Sequence, residues 1–408
     1  MEASPRVPLP LSSPGYLKLR PARRVRPAGA TFAASFMTTL PISAWVLAAA
    51  LTLLPGPPAP PAVGPRLPRA GQQLYRRYVG QVGGQPVLVE LNFRRLGGMP
   101  KDLQLDLFGT CYALATGAAR DLHPVGLLRP ATPLALTEPA DPGKRQAAVW
   151  RASQPLGPVL SGTWQADSLA APQPFSLHED YTGAVRYELL EEGTTGGRGL
   201  TAFGEPARSS VQVQYLHLLG PDTLRPALAR LQCLTPARRR RERQQQGQVA
   251  SPQDFATNYA LDLNVSLNEQ DLLGVNTRTI ADVVNHHRDD YTWDNATYDL
   301  RTGRRLDLLA LLKPGGEEAV QRLLTDQLRT HAPELAIAFE PENDLLPLPD
   351  EGFALTPAGW EATYLTNPAD QPFYEYTVHL TWAELRPLLR PGTPLNRLLV
   401  ARGLPPVR

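Results

Sequence analysis

The chain has 408 residues, with 41 Lys or Arg against 39 Asp or Glu, 42% hydrophobic and 20% charged content, the proportions of a globular protein that can bury a core. The formal net charge of +2 is unevenly placed. Residues 1–69 hold eight basic residues and one acid, so the remaining 339 carry 33 basic against 38 acidic residues, and so mildly acidic a body argues against nucleic acid as the main partner.

Residues 1–69 also hold 14 of the 43 prolines. Within them, residues 42–54 form the one strongly apolar run, 13 residues long. A bilayer-spanning helix needs about 20, so the run is short for an anchor and right for the hydrophobic region of a signal peptide. Basic residues precede it and small, Pro-rich sequence follows, with Ala59 and Ala62 at cleavage-site positions. The expectation is an exported protein with a signal peptide around residues 37–62 and an extracytoplasmic location. Met37 is the more ordinary start for such a leader, and residues 1–36 read as either a mis-assigned extension or a disordered tail.

Residues 70–200 read as an all-β domain. Runs 75–82 and 87–95 flank Gly83-Gly84, a hairpin signal. Leu103, Leu105 and Leu107 alternate with polar neighbours, and short strand-like runs recur at 133–137, 147–152, 159–165, 175–178 and 185–190, with turn residues between them. Seven or eight short strands predict an antiparallel meander, closed as a barrel or folded as a sandwich. Leu160-Ser161-Gly162-Thr163-Trp164 carries a Gly-x-Trp that resembles strands of lipocalin- and avidin-like barrels; the plainer reading is a core tryptophan on a strand. His178-Glu179-Asp180-Tyr181 groups four polar side chains at a strand end, either a site or a solvated edge.

Residues 201–250 read as a strand around Val211, Val213 and Tyr215, a helix from Pro221 through Leu231, and a mobile loop that begins with the basic run 238–243. The Gly/Thr-rich stretch 193–199 before them reads as a linker. From residue 251 the texture changes to α+β. A period-two strand covers Tyr259–Leu267, a turn sits at 268–270, and a return strand starts at Leu272. Further strands are expected at 291–300, 353–360 and 374–381. A helix opens at Glu317-Glu318 with Val320, Leu323, Leu324 and Leu328 on its apolar face, and Thr381 caps a short helix over 382–389. Residues 391–408 read as a tail.

The segments Leu272–Val275, Tyr298–Leu308, Phe353–Trp360 and Val378–Leu385 resemble, in order and wording, the extracytoplasmic domain of unknown function shared by RsiV, a lysozyme-binding anti-sigma factor, and PdaC, a peptidoglycan deacetylase. The resemblance spans about residues 210–390, and Tyr298-Asp299-Leu300-Arg301-Thr302-Gly303 is its most specific piece. Its motifs are turn and core patterns, so it implies a fold and not a chemistry. The family often has Gly-Gly-Ala-His where this chain has residues 284–290, and only a histidine is retained.

The chemistry-bearing residues are sparse. His286, His287, Asp289 and Asp290 form the one dense set of potential ligands, read as a candidate ligand-binding loop and not as a metal site, because adjacent histidines lack the spacing that metal sites use. Motifs of the common hydrolases, phosphate-binding loops and dinucleotide folds are absent. Cys111 and Cys233 fit either one disulfide or two buried thiols. Only four lysines occur, Lys18, Lys101, Lys144 and Lys313, against 37 arginines, which composition alone leaves as a coding bias or an arginine-based anion site. The sequence therefore predicts no cofactor and a binding module for an unknown envelope protein, glycan or small ligand. The alternatives are an envelope-polymer hydrolase or deacetylase-associated protein, and a membrane-tethered signalling regulator. Nucleic acid is not an expected partner, and membrane contact is expected only through an uncleaved leader.

Overall fold

The computed structural model describes residues 68–95, 105–115, 117–126, 132–139, 148–166, 170–228, 231, 255–284, 290–331, 345–349, 352–366 and 374–408. Eight antiparallel strands come first: β1 (Gln72–Val82), β2 (Gln85–Arg95), β3 (Leu105–Ala113), β4 (Ala119–Pro124), β5 (Pro133–Glu138), β6 (Ala148–Pro155), β7 (Val159–Gln165) and β8 (Gln173–Glu179). Each pairs with the next, and β8 returns to β1 from Tyr78↔Glu179 to Val82↔Phe175. The meander is thus a closed barrel. The β1–β2 turn is Gly83-Gly84, both at positive φ, which matches the twist of the flanking strands. Strand β4 has no counterpart in the sequence reading, because only Leu122 of its six residues is buried and no apolar alternation marks it.

Side chains fill the barrel. Leu74 and Tyr78, then Val87, Val89, Leu91 and Phe93, point inward and meet Leu107, Leu122, Trp150 and Leu177 in one apolar cluster. The first half of β1 is also buried on its outer face, where Tyr75 and Arg77 lie. The cause is the second sheet. While the end of β1 pairs with β8, its start pairs with β9 (Tyr187–Leu200) through Gln72↔Leu190 and Leu74↔Glu188. One strand therefore belongs to the barrel and to the sheet beyond it.

That sheet continues through β10 (Pro206–Leu218), β11 (Thr257–Glu269), β12 (Leu272–Val283), β13 (Asp290–Asp299) and β14 (Arg304–Leu306), with β10 and β11 parallel and the other neighbours antiparallel. Residues 193–199 are not a linker; they lie inside β9 and pair with β10. Glycine content pointed to flexibility, but ladder hydrogen bonds do not need side chains. The helix expected from Pro221 to Leu231 is broken into two 3₁₀ turns, Gly220–Leu224 and Pro226–Leu228. Pro226 cannot donate a backbone bond and its ring clashes with a continuing helix. The β11–β12 turn sits at Gln270-Asp271, with φ of +54° and +57°. Two non-glycine residues hold this left-handed geometry because the turn is pinned: Asp271 N–H donates to the Gly183 carbonyl (2.6 Å), and Leu300 N–H donates to the Asp271 carbonyl (2.8 Å).

A smaller sheet of β15 (Ala354–Leu355), β16 (Gly359–Thr366) and β17 (Tyr374–Thr381) packs with helix α1 (Gly316–His331) around Trp360. Val320, Leu324 and Leu328 of α1 are buried, and acidic Glu317 and Glu318 sit in its first turn, as expected. Thr381 caps α2 (Trp382–Leu385) in a capping box with Glu384.

Residues 391–408 are not a tail. They form α3 (Asn396–Ala401), which Arg402 caps, and bury Leu395, Leu398 and Leu399 in the same core. The Arg402 guanidinium pairs with the Glu269 carboxylate at the end of β11, and both side chains are 1% exposed. Its Nη1 donates to Glu269 Oε2 (3.3 Å), and its Nε donates to the Pro357 carbonyl (2.9 Å). The short sequence Asn-Arg-Leu-Leu-Val-Ala lacks a helical period long enough to be read, and the bridge that fixes it spans 133 residues. Removing one member of a fully buried pair leaves an uncompensated charge. Arg402→Ala is expected to lower the unfolding free energy by about 3–5 kcal/mol in a urea titration; a change under about 1 kcal/mol would show that the pair does not hold the C-terminal segment.

Candidate functional site

Three places concentrate chemistry among the described residues. The first is the far end of the second sheet, where the β9–β10 turn, the entry to β11 and the exit of β12 meet. Backbone bonds tie them: Ala202 N–H to the Val284 carbonyl (3.0 Å), Val284 N–H to the Ala256 carbonyl (2.8 Å), and Ala256 N–H to the Leu200 carbonyl (2.8 Å). Phe203 is 69% exposed at this end and Phe255 is 56% exposed. Phe203 is held outward by its turn. The Thr201 hydroxyl accepts from the N–H groups of Phe203 (3.2 Å) and Glu205 (3.1 Å), and Gly204 supplies φ = +82°. Phe255 is fixed by a parallel bridge to Leu200.

The candidate ligand loop leaves the sheet at this same end, directly after Val284. His286, His287 and Asp289 lie outside the described residues, and the backbone of Asp290 opens β13 opposite Ala281. Among the described residues no group of three or more His, Cys, Asp or Glu is placed to hold a metal ion. The two phenylalanines were missed in the sequence because single apolar residues in turns carry no period. The signal that could have found one was an aromatic side chain inside Thr-Ala-Phe-Gly.

The second place is one end of the barrel. Glu138 points inward from β5 and its Oε1 accepts both indole N–H groups, from Trp150 (2.9 Å) and Trp164 (3.0 Å), while Arg120 Nη1 lies 3.4 Å from Oε2. Gly162 is required there, since an added Cβ would sit 2.0 Å from the Arg151 carbonyl oxygen on the neighbouring strand. The tryptophan of the Gly-x-Trp thus helps hold a buried carboxylate, which accepts both indole N–H groups. Cys111 lines the same interior as a free thiol, and burial, with the charge of Glu138, pushes its pKa up to about 12. Cys233 lies outside the described residues.

The third place is the junction between the barrel's outer face and the second sheet. Tyr75 stacks on Tyr187 at 4.3 Å between ring centroids and meets Tyr181 edge-on at 6.4 Å. The Tyr75 hydroxyl donates to Glu90 Oε1 (2.5 Å), and Tyr112 is a second hydroxyl partner. Arg77 Nη1 donates to the Asp180 carbonyl (2.6 Å), and its buried Nε has no partner among the described residues. Burial raises the Glu90 pKa from 4.5 to about 7. The Tyr75 bond and the Arg77 charge oppose that rise, and Glu269 across the junction adds to it. The tetrad 178–181 belongs to this wall: Tyr181 donates to Glu179 (2.9 Å) and Thr182 N–H to Asp180 Oδ1 (2.8 Å), so it is a bonded strand end. Glu90 is buried, and its raised pKa follows from that burial.

No protein-family model matches the chain. No curated protein matches it. Two solved structures of DUF3298 family proteins are similar to it. One, from Bacteroides fragilis, is 16% identical with a TM-score of 0.36, over 53% of this chain and 98% of that one. The other, from Pseudomonas aeruginosa, is 16% identical with a TM-score of 0.37, over 55% of this chain and 98% of that one. No described helix is long and apolar enough to cross a membrane.

The Glu90 shift has a sign. A carboxyl whose folded pKa lies above its unfolded value stabilises the fold fully below about 4.5, and that contribution is lost as pH rises through about 7. The shift corresponds to roughly 3 kcal/mol at the alkaline limit. His379, raised by its bond to Glu361, moves stability in the same direction, so the comparison must be with a variant. Wild type is expected to lose stability between pH 5 and pH 8.5, and Glu90→Gln to lose distinctly less; parallel urea midpoints for the two proteins across that range would remove Glu90 as the cause.

Proposed function

We propose that this protein is a non-enzymatic, extracytoplasmic binding module that engages its partner through the far end of the β9–β13 sheet. The observation that carries the proposal is the pair of exposed phenylalanines, Phe203 and Phe255, held outward by a bonded turn and a strand bridge. Exposed aromatic side chains on a rigid frame lose little conformational freedom on binding and anchor interfaces well. They favour a protein partner or the apolar face of a glycan. His286, His287, Asp289 and Asp290, which follow Val284 in the chain, are the polar groups proposed to take part in binding. The apolar run at 42–54 supports export, and the resemblance of residues 210–390 to the RsiV and PdaC domain supports a cell-envelope setting. Sequencing the mature N-terminus tests export: recovery of residues before Ile42 would rule out cleavage.

Capture from envelope extract tests the binding surface. Wild type is expected to retain a specific partner, and Phe203→Ser/Phe255→Ser to lose at least about tenfold of it with an unchanged melting temperature, since each anchor is worth on the order of 1–2 kcal/mol. Equal retention by the two proteins would overturn the assignment. Turnover in a hydrolase panel that disappears in His287→Ala would replace it with the envelope-polymer enzyme.

A further inference from the structure

Many arginines of the second half of the chain are paired with carboxylates. Arg402 pairs with Glu269, Arg397 with Asp299, Arg301 with Asp271, Arg278 with Asp262, Arg305 with Asp294 and Arg322 with Glu318. Two cations outside this pattern lie side by side. Among the described residues, no carboxylate lies within ion-pair distance of Lys313 or Arg386. Both line a groove of about 450 Å³, walled by Pro387, Pro405, Pro406 and Val407, with Arg408 at its rim. That volume lies within the range of small-ligand sites.

The groove is built from three separate stretches locked by backbone bonds. Lys313 N–H donates to the Leu388 carbonyl (2.7 Å), and Arg390 N–H donates to the Leu311 carbonyl (2.8 Å). Val407 N–H donates to Asn396 Oδ1 (3.1 Å), which fixes the last wall. The charged heads are fixed as well. Lys313 Nζ donates to the Pro387 carbonyl (2.9 Å), and Arg386 Nε donates to the Pro405 carbonyl (2.7 Å). Using Nε in this way leaves both Nη groups of Arg386 without a hydrogen-bond partner among the described residues. Proline walls add rigidity without adding donors of their own.

Two fixed cations without a neutralising acid among the described residues, in a body that is otherwise slightly acidic, call for an anion. We infer that this groove binds a phosphate group, with Arg386 supplying a two-pronged contact and Lys313 a point charge. The chemistry is shared by free phosphates and by phosphorylated envelope components such as anionic lipid headgroups. The site lies apart from the Phe203/Phe255 surface, does not depend on it, and is not used by anything proposed for it.

The test uses the full chain and two probes, inorganic pyrophosphate by calorimetry and vesicles by co-sedimentation, the latter with phosphatidylglycerol in phosphatidylcholine or phosphatidylcholine alone. Wild type is expected to bind pyrophosphate saturably, and Lys313→Gln and Arg386→Gln each to weaken binding by about tenfold, as loss of one charge-assisted contact implies. Arg386→Lys keeps the charge but loses the fork, and is expected to fall between wild type and Arg386→Gln. Should Arg386→Gln lower the melting temperature, Lys313→Gln carries the test. Weakening seen with pyrophosphate identifies a free phosphate site; weakening seen only with the anionic vesicles identifies a headgroup site, and either supports the inference. Binding of neither probe by wild type, or equal binding by wild type and the Lys313→Gln/Arg386→Gln double variant, overturns it.

Discussion

The pair between Arg402 and Glu269 is where the fold closes. Glu269 ends β11, just before the pinned Gln270-Asp271 turn; Arg402 follows α3, and its Nε is spent on the Pro357 carbonyl in the β15–β16 turn. Trp382 Nε1 donates to the same carbonyl (2.8 Å), and the barrel turn at Gly117 approaches it so closely that an added Cβ would lie 2.3 Å from the oxygen. Four distant stretches of chain thus converge on one carbonyl and one ion pair. Such a pair adds little net stability compared with an apolar packing of equal volume, but it makes partial assembly costly, since either charge alone in that site is unpaired and dry.

The same pair explains the electrostatics of the junction. Arg402 answers the charge of Glu269, so Glu269 remains an acceptor of two guanidinium nitrogens. Glu90 faces that junction without a dedicated cation, because Arg77 gives its Nη1 to a backbone carbonyl. In a dry site with two carboxylates, one guanidinium bound to Glu269 and the other committed to a carbonyl, the less well paired acid, Glu90, has its pKa raised. Other buried acids are handled differently: Glu138 accepts two indole N–H groups, and Glu188 is shared by Gln72 and His217. These carboxylates are engaged in building walls, and their enclosure directs attention to the outer surface for function.

How far the sequence announces this architecture depends on the range of the interaction. Hairpins are legible because their signals are local: Gly83-Gly84 and the alternation around it place β1 and β2, and Thr381 with Glu384 places the α2 cap. The turn Asp299–Gly303 is legible as a turn, but its other task is not. Asp299 Oδ1 also accepts from Arg397 Nη2 (2.9 Å), tying a motif of the middle chain to α3, 98 residues away. Glycine misleads in β9, where residues 193–199 are strand, and proline corrects the helix that apolar spacing predicts across 221–231. For the candidate site, the sequence singles out the loop at 286–290 but not the phenylalanines beside its start, because exposure is a property of the assembled sheet.

The arginine excess gains a meaning that composition could not supply. A guanidinium offers five donors in a plane, so one side chain can satisfy a carboxylate and a carbonyl together, as Arg402, Arg305 and Arg225 do. Lysine offers no such fork. A chain of short strands and turns leaves many carbonyls at element ends without backbone donors, and arginine serves them while also balancing nearby acids. By that logic a guanidinium whose Nε alone is committed, beside one of only four lysines in the chain, is the place where the pattern has donors left over. Donors held in position by the fold and unmatched by any described acid define a site by its chemistry before any ligand is known.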